Sequence, residues 1–128
     1  MHRILVVDDN AIWRTATTLT VQSLDLETEE ASSGEEALKK VQANYYAVIL
    51  MDCNMPIMNG FECTQKIRER EKSNAIRMSI IGLTSSVAAD IEEQCLKAGM
   101  DAYLDKACSF EELRQQVSKW AIRAVCNR

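Results

Sequence analysis

Short apolar runs alternate along this chain with longer stretches in which apolar residues recur at helical intervals. "RILVV" at 3–7, "AVILM" at 47–51 and "MSIIGL" at 78–83 have the length and continuity of buried strands. Two more polar segments of strand length, "LETEEA" at 26–31 and "DAYLD" at 101–105, complete a set of five. Between them, residues 11–23 carry Ile12, Ala16 and Leu19 at helical spacing. "SSGEEALKKVQAN" begins at Ser32, and Ser33 has Glu36 three residues on, the pattern of a capping box. Residues 60–72, "GFECTQKIREREK", predict a third helix with one charged face, and residues 87–98 a fourth. Gly99 stands where the fourth helix needs a left-handed C-terminal residue. A fifth runs from Phe110 to Ala124, with Leu113, Val117, Trp120 and Ala124 on one side.

A strand followed by a helix thus occurs five times. The first, third and fourth strands do not alternate, so both of their faces must be covered. That points to a parallel sheet with helices on both sides and right-handed crossovers. "LETEE" is polar and suits an edge. Neither linker nor low-complexity segment interrupts the pattern, and 128 residues suit one domain spanning 1–128. On open α/β sheets, ligands sit beyond the carboxyl ends of the strands. The residues to examine are therefore Asp8 and Asp9, Asp52, Thr84 and Lys106.

Composition narrows the function. The net charge of −4 comes without a basic stretch, which excludes a nucleic-acid surface. No apolar run reaches the roughly 18 residues of a membrane span, and "MHRILVVDDN" turns acidic too early for a signal peptide. Cysteines 53, 63, 95, 108 and 126 form no CxxC, and His2 is the only histidine, so neither a disulfide framework nor a zinc site is indicated. Reduced, mostly buried thiols in a cytoplasmic protein are expected.

Asp8, Asp9 and Asp52 converge if the first and third strands are neighbours. Three packed carboxylates repel, and a cation or protonation must relieve them. Mg²⁺ suits oxygen ligands of this kind together with waters and a phosphate. Lys106 and the Thr84 hydroxyl, at two further strand ends, are the groups that hold a phosphoryl once attached.

The segments "ILVVDDN" (4–10), "VILMDCNMPIMNGFE" (48–62), "IIGLTS" (80–85) and "YLDK" (103–106) together resemble a response-regulator receiver domain of two-component phosphorelay signalling, closest in pattern to the receivers of hybrid kinases. The resemblance spans essentially the whole chain. It implies a flavodoxin-like (βα)5 doubly wound fold, α/β/α in three layers, with strand order 2-1-3-4-5. It implies that Asp52 accepts a phosphoryl group from the phosphohistidine of a sensor kinase or a histidine phosphotransfer protein. Asp8, Asp9, Asp52 and the backbone carbonyl of Asn54 would bind Mg²⁺. Thr84, Ser85 and Lys106 would contact the phosphoryl oxygens, and Thr84 with Tyr103 would switch the surface of the fourth helix, fifth strand and fifth helix toward a downstream effector. Such a module self-catalyses phosphotransfer and dephosphorylation and is not otherwise an enzyme. It contacts neither nucleic acid nor membrane.

Three positions depart from the family's pattern. Ala107 replaces a common proline, which makes a trans Lys106–Ala107 bond the expectation. Trp13 replaces a frequent asparagine and either covers part of the acidic pocket or lies along the first helix. Ser86, like Asn54, occupies a position tied to acyl-phosphate lifetime. Cys53 should face away from Asp52, because successive strand residues point to opposite faces. Competing classes fit less well. A flavin carrier on this fold needs a phosphate loop with free backbone donors where "DDNA" stands, and an aspartyl-phosphate hydrolase needs a second acid where "DCN" stands. A degenerate receiver, binding partners without phosphorylation, stays open as the alternative.

Overall fold

The computed structural model describes residues 3–73, 76–85 and 88–126, the side chains of 125 and 126 aside. His2, Ser86 and the side chain of Cys126 lie outside that set, as does residue 87. The elements are β1 (Arg3–Val7), α1 (Ala11–Gln22), β2 (Glu27–Ala31), α2 (Gly34–Ala43), β3 (Val48–Asp52), α3 (Gly60–Glu71), β4 (Ser79–Thr84), α4 (Ile91–Ala98), β5 (Ala102–Asp105) and α5 (Phe110–Cys126). The strands form one parallel sheet in the order β2-β1-β3-β4-β5. This is the doubly wound flavodoxin-like order, with a switch point between β1 and β3.

Alternate residues of each central strand feed two cores. Leu5, Val7, Ile49 and Met51 pack with Ala37, Cys63, Ile67 and Cys95 beneath α2, α3 and α4. Ile4, Val6, Val48 and Leu50 pack with Val21, Leu113 and Val117 beneath α1 and α5. Every residue of β3 is buried, which explains its unbroken apolar run. β2 does lie at an edge. Its glutamates meet Arg3, which reaches Glu27 (3.6 Å) and Glu29 (3.2 Å), and the buried Tyr46 donates its hydroxyl to Glu29 at 2.8 Å.

Three helices differ from expectation. On α1, Ile12 and Leu19 face outward, 82% and 62% exposed, while Thr17, Thr18, Thr20 and Val21 are buried. Thr20 solves the cost of burying a hydroxyl by donating to the Ala16 carbonyl at 2.9 Å. At α2, Ser33 accepts the Glu36 N–H, but the Glu36 carboxylate turns to the N–H of Ser32, so the box closes one residue early. α4 spans only Ile91–Ala98, starting later than its pattern predicts, and ends at Gly99 with φ of 103° as expected. Among the described residues no helix is long and apolar enough to cross a membrane.

Candidate functional site

Strand register assembles the site. Val7 pairs with both Ala31 and Met51, so Asp8 emerges beside Asp52 at the carboxyl edge of the sheet. Asp52 pairs with Leu83 and Thr84 with Asp105, which leaves Lys106 one residue beyond. Asp8, Asp9 and Asp52 each bring a carboxylate oxygen within 4.8 Å of the others. Asp8, Asp52 and Thr84 are buried, whereas Asp9, Asn54 and Ser85 are exposed. Lys106 reaches inward, its Nζ 3.1 Å from Asp8 Oδ2 and 3.2 Å from Asp52 Oδ1.

Backbone groups orient these side chains. The N–H of Asn54 donates to Asp52 Oδ1 at 3.1 Å, but Oδ2 is buried without a hydrogen-bond partner among the described residues. An orphaned carboxylate oxygen in such a place is costly unless something binds it. Asp8 is held on three sides. Its N–H donates to the Ala31 carbonyl (3.1 Å), Asn10 N–H donates to its Oδ1 (2.9 Å), and Arg14 Nη1 donates to its carbonyl oxygen (2.8 Å). The Asn10 side chain also caps α1, accepting the N–H groups of Ile12 and Trp13 at 3.0 Å each. Sequence reasoning missed both helpers. Asn10 carried a usable signal, a capping residue type just before a helix, whereas nothing in the pattern singled out Arg14.

Burial, reinforced by neighbouring Asp8, raises the Asp52 carboxyl from 3.8 to about 6 against the pull of the Asn54 N–H and the Lys106 ammonium. Burial works against the charged form of Lys106, but the carboxylates of Asp8 and Asp52 outweigh it and its pKa is raised. Three carboxylates and one ammonium, all ionised, leave two negative charges in the cluster. The charge of a divalent cation balances them.

Lys106 is anchored by its own N–H, which donates to the Thr84 carbonyl at 2.9 Å. The next turn is built on Asp105, whose Oδ1 accepts the Ala107 N–H at 2.8 Å and whose carbonyl accepts the Cys108 N–H at 2.9 Å. Proline at 107 has no N–H to give. Among the described residues every peptide bond is trans, Lys106–Ala107 included. Trp13 takes the first of its two expected placements: its ring centroid lies 5.5 Å from Lys106 Nζ. Tyr103 stands on β5 with 38% of its surface exposed.

The loop after Asp52 is tightly constrained. A Cβ on Gly60 would collide with the backbone carbonyl oxygen of Asp52, so it is close approach that demands glycine here. Asn59 and Glu62 form a full capping box that starts α3 at Gly60, where the pattern places the third helix. Met58 N–H donates to the Pro56 carbonyl (2.7 Å), closing a three-residue turn on Ile57, whose φ is 70° and whose side chain is fully exposed. A β-branched residue is strained there. Ile57→Asn is expected to raise stability by about 1 kcal/mol, the order of the steric penalty relieved. An unchanged or lowered urea midpoint would show that the turn carries no such strain.

The model of the family described as response regulator receiver domain matches residues 4–118. The chain belongs to the response-regulator receiver family. This receiver is 31% identical over 120 residues to hybrid signal transduction histidine kinase A of Dictyostelium discoideum, covering 92% of this chain and 6% of that protein. It is 33% identical over 125 residues to the sensor histidine kinase RcsC of Escherichia coli K12, covering 98% and 13% respectively. The receiver thus corresponds to only a small part of the curated relatives it matches. Among solved structures it resembles the receiver domain of sensor histidine kinase PA1611 from Pseudomonas aeruginosa, described with a magnesium ion in its active-site cleft. The TM-score is 0.84 at 33% identity, over 94% of this chain and 97% of that one.

The receiver's thiols stand apart from this chemistry. Cys53 points into the core beneath α2–α4, away from Asp52 as expected, and Cys63 and Cys95 share that core. Burial pushes all three upward, Cys63 to about 12, which leaves them unreactive.

Proposed function

We propose that this receiver accepts a phosphoryl group on Asp52 from the phosphohistidine of a sensor kinase or histidine phosphotransfer protein. The observation that carries the reading is the division of labour on one carboxylate. Asp52 Oδ1 is held by Asn54 N–H and Lys106, while buried Oδ2 has no partner among the described residues. Oδ2 is then the nucleophile. Its bond to phosphorus forms as the N–P bond of the donor breaks, and the electron pair returns to the imidazole nitrogen, which is reprotonated.

Asp8, Asp9, Asp52 and the Asn54 carbonyl would hold Mg²⁺, and the three converging carboxylates with their two unbalanced charges fit that ion. When bound, it screens the carboxylates from an incoming phosphate and neutralises phosphoryl oxygens. Lys106 supplies the protein's own positive charge to the same oxygens, and Thr84 and Ser85 supply hydroxyl donors. Movement of Thr84 toward the phosphoryl, with rotation of the half-exposed Tyr103, would alter the α4–β5–α5 surface that an effector reads.

Ile12 and Leu19, seven residues apart and exposed on α1, offer the donor an apolar docking face beside the site. The phosphotransfer and its reversal are self-catalysed, so the domain is a switch and not a turnover enzyme. Residues 1–128 act as one unit in this reading. A cytoplasmic setting goes with it, supported by the buried free thiols.

Intact mass after incubation with Mg²⁺ and either acetyl phosphate or a phosphorylated histidine phosphotransfer protein tests the proposal. One phosphoryl group should be gained by the natural chain and none by Asp52→Asn. Refusal of both donors, or equal gain in the variant, favours a phosphorylation-independent interaction module instead.

A further inference from the structure

Lys106 is the only cation among the described residues that meets Asp8 and Asp52, and it sits at the end of a flexible four-carbon stem. Its Nζ pairs on one side with the carboxylates of Asp8 and Asp52. On another side lies Trp13, with the ring centroid 5.5 Å from Nζ, inside the range of a cation–π contact. The backbone that carries the ring is fixed at the start of α1. The Trp13 N–H is capped by Asn10 at 3.0 Å. The following residue, Arg14, is tied to the Asp8 carbonyl at 2.8 Å and to Glu30 at 2.9 Å. The first turn of α1 is therefore fixed to the same strand end that carries Asp8.

Trp13 and Phe110 wall a cavity of about 40 Å³ that also touches Asp8 and Lys106. A space of that size holds a water or two and little more. The indole thus stands where bulk water would otherwise solvate the outer side of the ammonium. An aromatic face differs from a third carboxylate in one decisive respect: it attracts the cation without adding charge that would repel a phosphoryl group.

We propose that Trp13 is a positioning residue that keeps Lys106 aimed at Asp52 by laying its indole face against the ammonium. This rests on the reading of Asp52 as phosphoacceptor. Trp13 itself touches no reacting atom. Its effect passes entirely through Lys106, and that dependence separates positioning from simple packing.

The test compares Trp13→Leu and Trp13→Phe in the full chain, each with and without Lys106→Met. Trp13 is 44% exposed, so the variants are expected to fold, and circular dichroism checks this. With acetyl phosphate and saturating Mg²⁺, Trp13→Leu should be phosphorylated roughly two- to five-fold more slowly, as expected for loss of one partly exposed cation–π contact. Trp13→Phe should recover most of the rate, and Trp13→Leu should change nothing in the Lys106→Met background. Equal rates for Trp13→Leu and the natural chain, or the same loss with Lys106→Met present, would overturn the proposal. A second readout needs no phosphorylation. The Lys106 ε-methylene proton resonances should be shifted upfield by the ring in the natural chain and in Trp13→Phe, and return to the ordinary lysine position in Trp13→Leu. Absence of that shift refutes the contact itself. A natural chain that shows the shift but takes no phosphoryl group refutes the Asp52 reading, and the positioning role falls with it.

Discussion

Asp52→Asn is expected to unfold at a higher temperature than the natural chain in metal-free buffer at pH 7. Burial and Asp8 raise the Asp52 carboxyl from 3.8 to about 6, so its ionised form is disfavoured in the folded state. At about 1.4 kcal/mol for each tenfold change in proton affinity, keeping it ionised costs the fold about 3 kcal/mol. That figure already includes the attraction of Lys106, which keeps Asp8 in the variant, and burial of the new amide offsets part of the gain. A net gain of about 2 kcal/mol, several degrees in melting temperature, is the expected result. The sign of the pH dependence follows from linkage. Between pH 3.8 and about 6 the folded chain binds the Asp52 proton more tightly than the unfolded chain does. Its stability therefore falls as pH rises through that window and levels off above it. The Asn variant lacks this slope, so its advantage is full above pH 6 and fades toward pH 4. Added Mg²⁺ should close the gap from the other side, stabilising the natural chain by about 2.7 kcal/mol at a hundredfold excess over its dissociation constant and the variant by less. Thermal melts at several pH values, with and without Mg²⁺, decide it. Destabilisation by Asp52→Asn at pH 7 without metal would mean that the acid cluster is already relieved in the apo protein.

Arg68→Ala is expected to cost about 3–5 kcal/mol, the range for removing one partner of a buried ion pair. The guanidinium ties the third helix to the chain just before β4 and to the α4–β5 connection. Nε donates to the Gly99 carbonyl (2.8 Å), Nη1 to the Met78 carbonyl and to Glu71 (2.7 Å each), and Nη2 to Asp101 (2.8 Å). Glu71 and Asp101 are themselves 13% and 14% exposed, so deletion strands two carboxylates with little water to solvate them. Asp101 also accepts the Ile80 N–H, and Glu71 the Met78 N–H, both at 2.8 Å, so the damage reaches the start of β4. Arg77 pairs with the same Asp101 but is 57% exposed, and Arg77→Ala should cost under about 1 kcal/mol. Urea unfolding of both variants provides the comparison. Similar midpoints for the two would show that the buried network contributes no more than a surface pair.

Much of the fold was legible in the chain because the central strands are buried on both faces. "RILVV", "VILMD" and "SIIGLT" can only be runs, and a run ending in a carboxylate points to a ligand site at the sheet's edge. What the pattern misread were positions where polarity and burial part company. α1 buries three threonines, of which Thr20 bonds its hydroxyl back to the Ala16 carbonyl, and turns Ile12 and Leu19 outward. α3 has the charged face its pattern predicts, yet the Arg68 side chain on it is only 13% exposed. Periodicity ranks residues by side-chain type and cannot see that a guanidinium will find two carbonyls and two carboxylates waiting. The residues that meet at the sheet's edge were legible because each stands at, or one or two positions past, the end of a strand. The tertiary relations among them were not: Asn10 and Arg14 bracing Asp8, and Trp13 over Lys106, depend on how the first helix docks.

The fourth helix has two turns, no side-chain cap at its start, and only Cys95 and Ala98 buried. Few buried side chains hold it in place. In the proposed switch, displacing it by a fraction of a turn would sacrifice little of the folding free energy, so a single additional bond at the neighbouring Thr84 would be comparable in size to what restrains it. A longer, well-capped helix in that place would have been sturdier and, for the same reason, deaf.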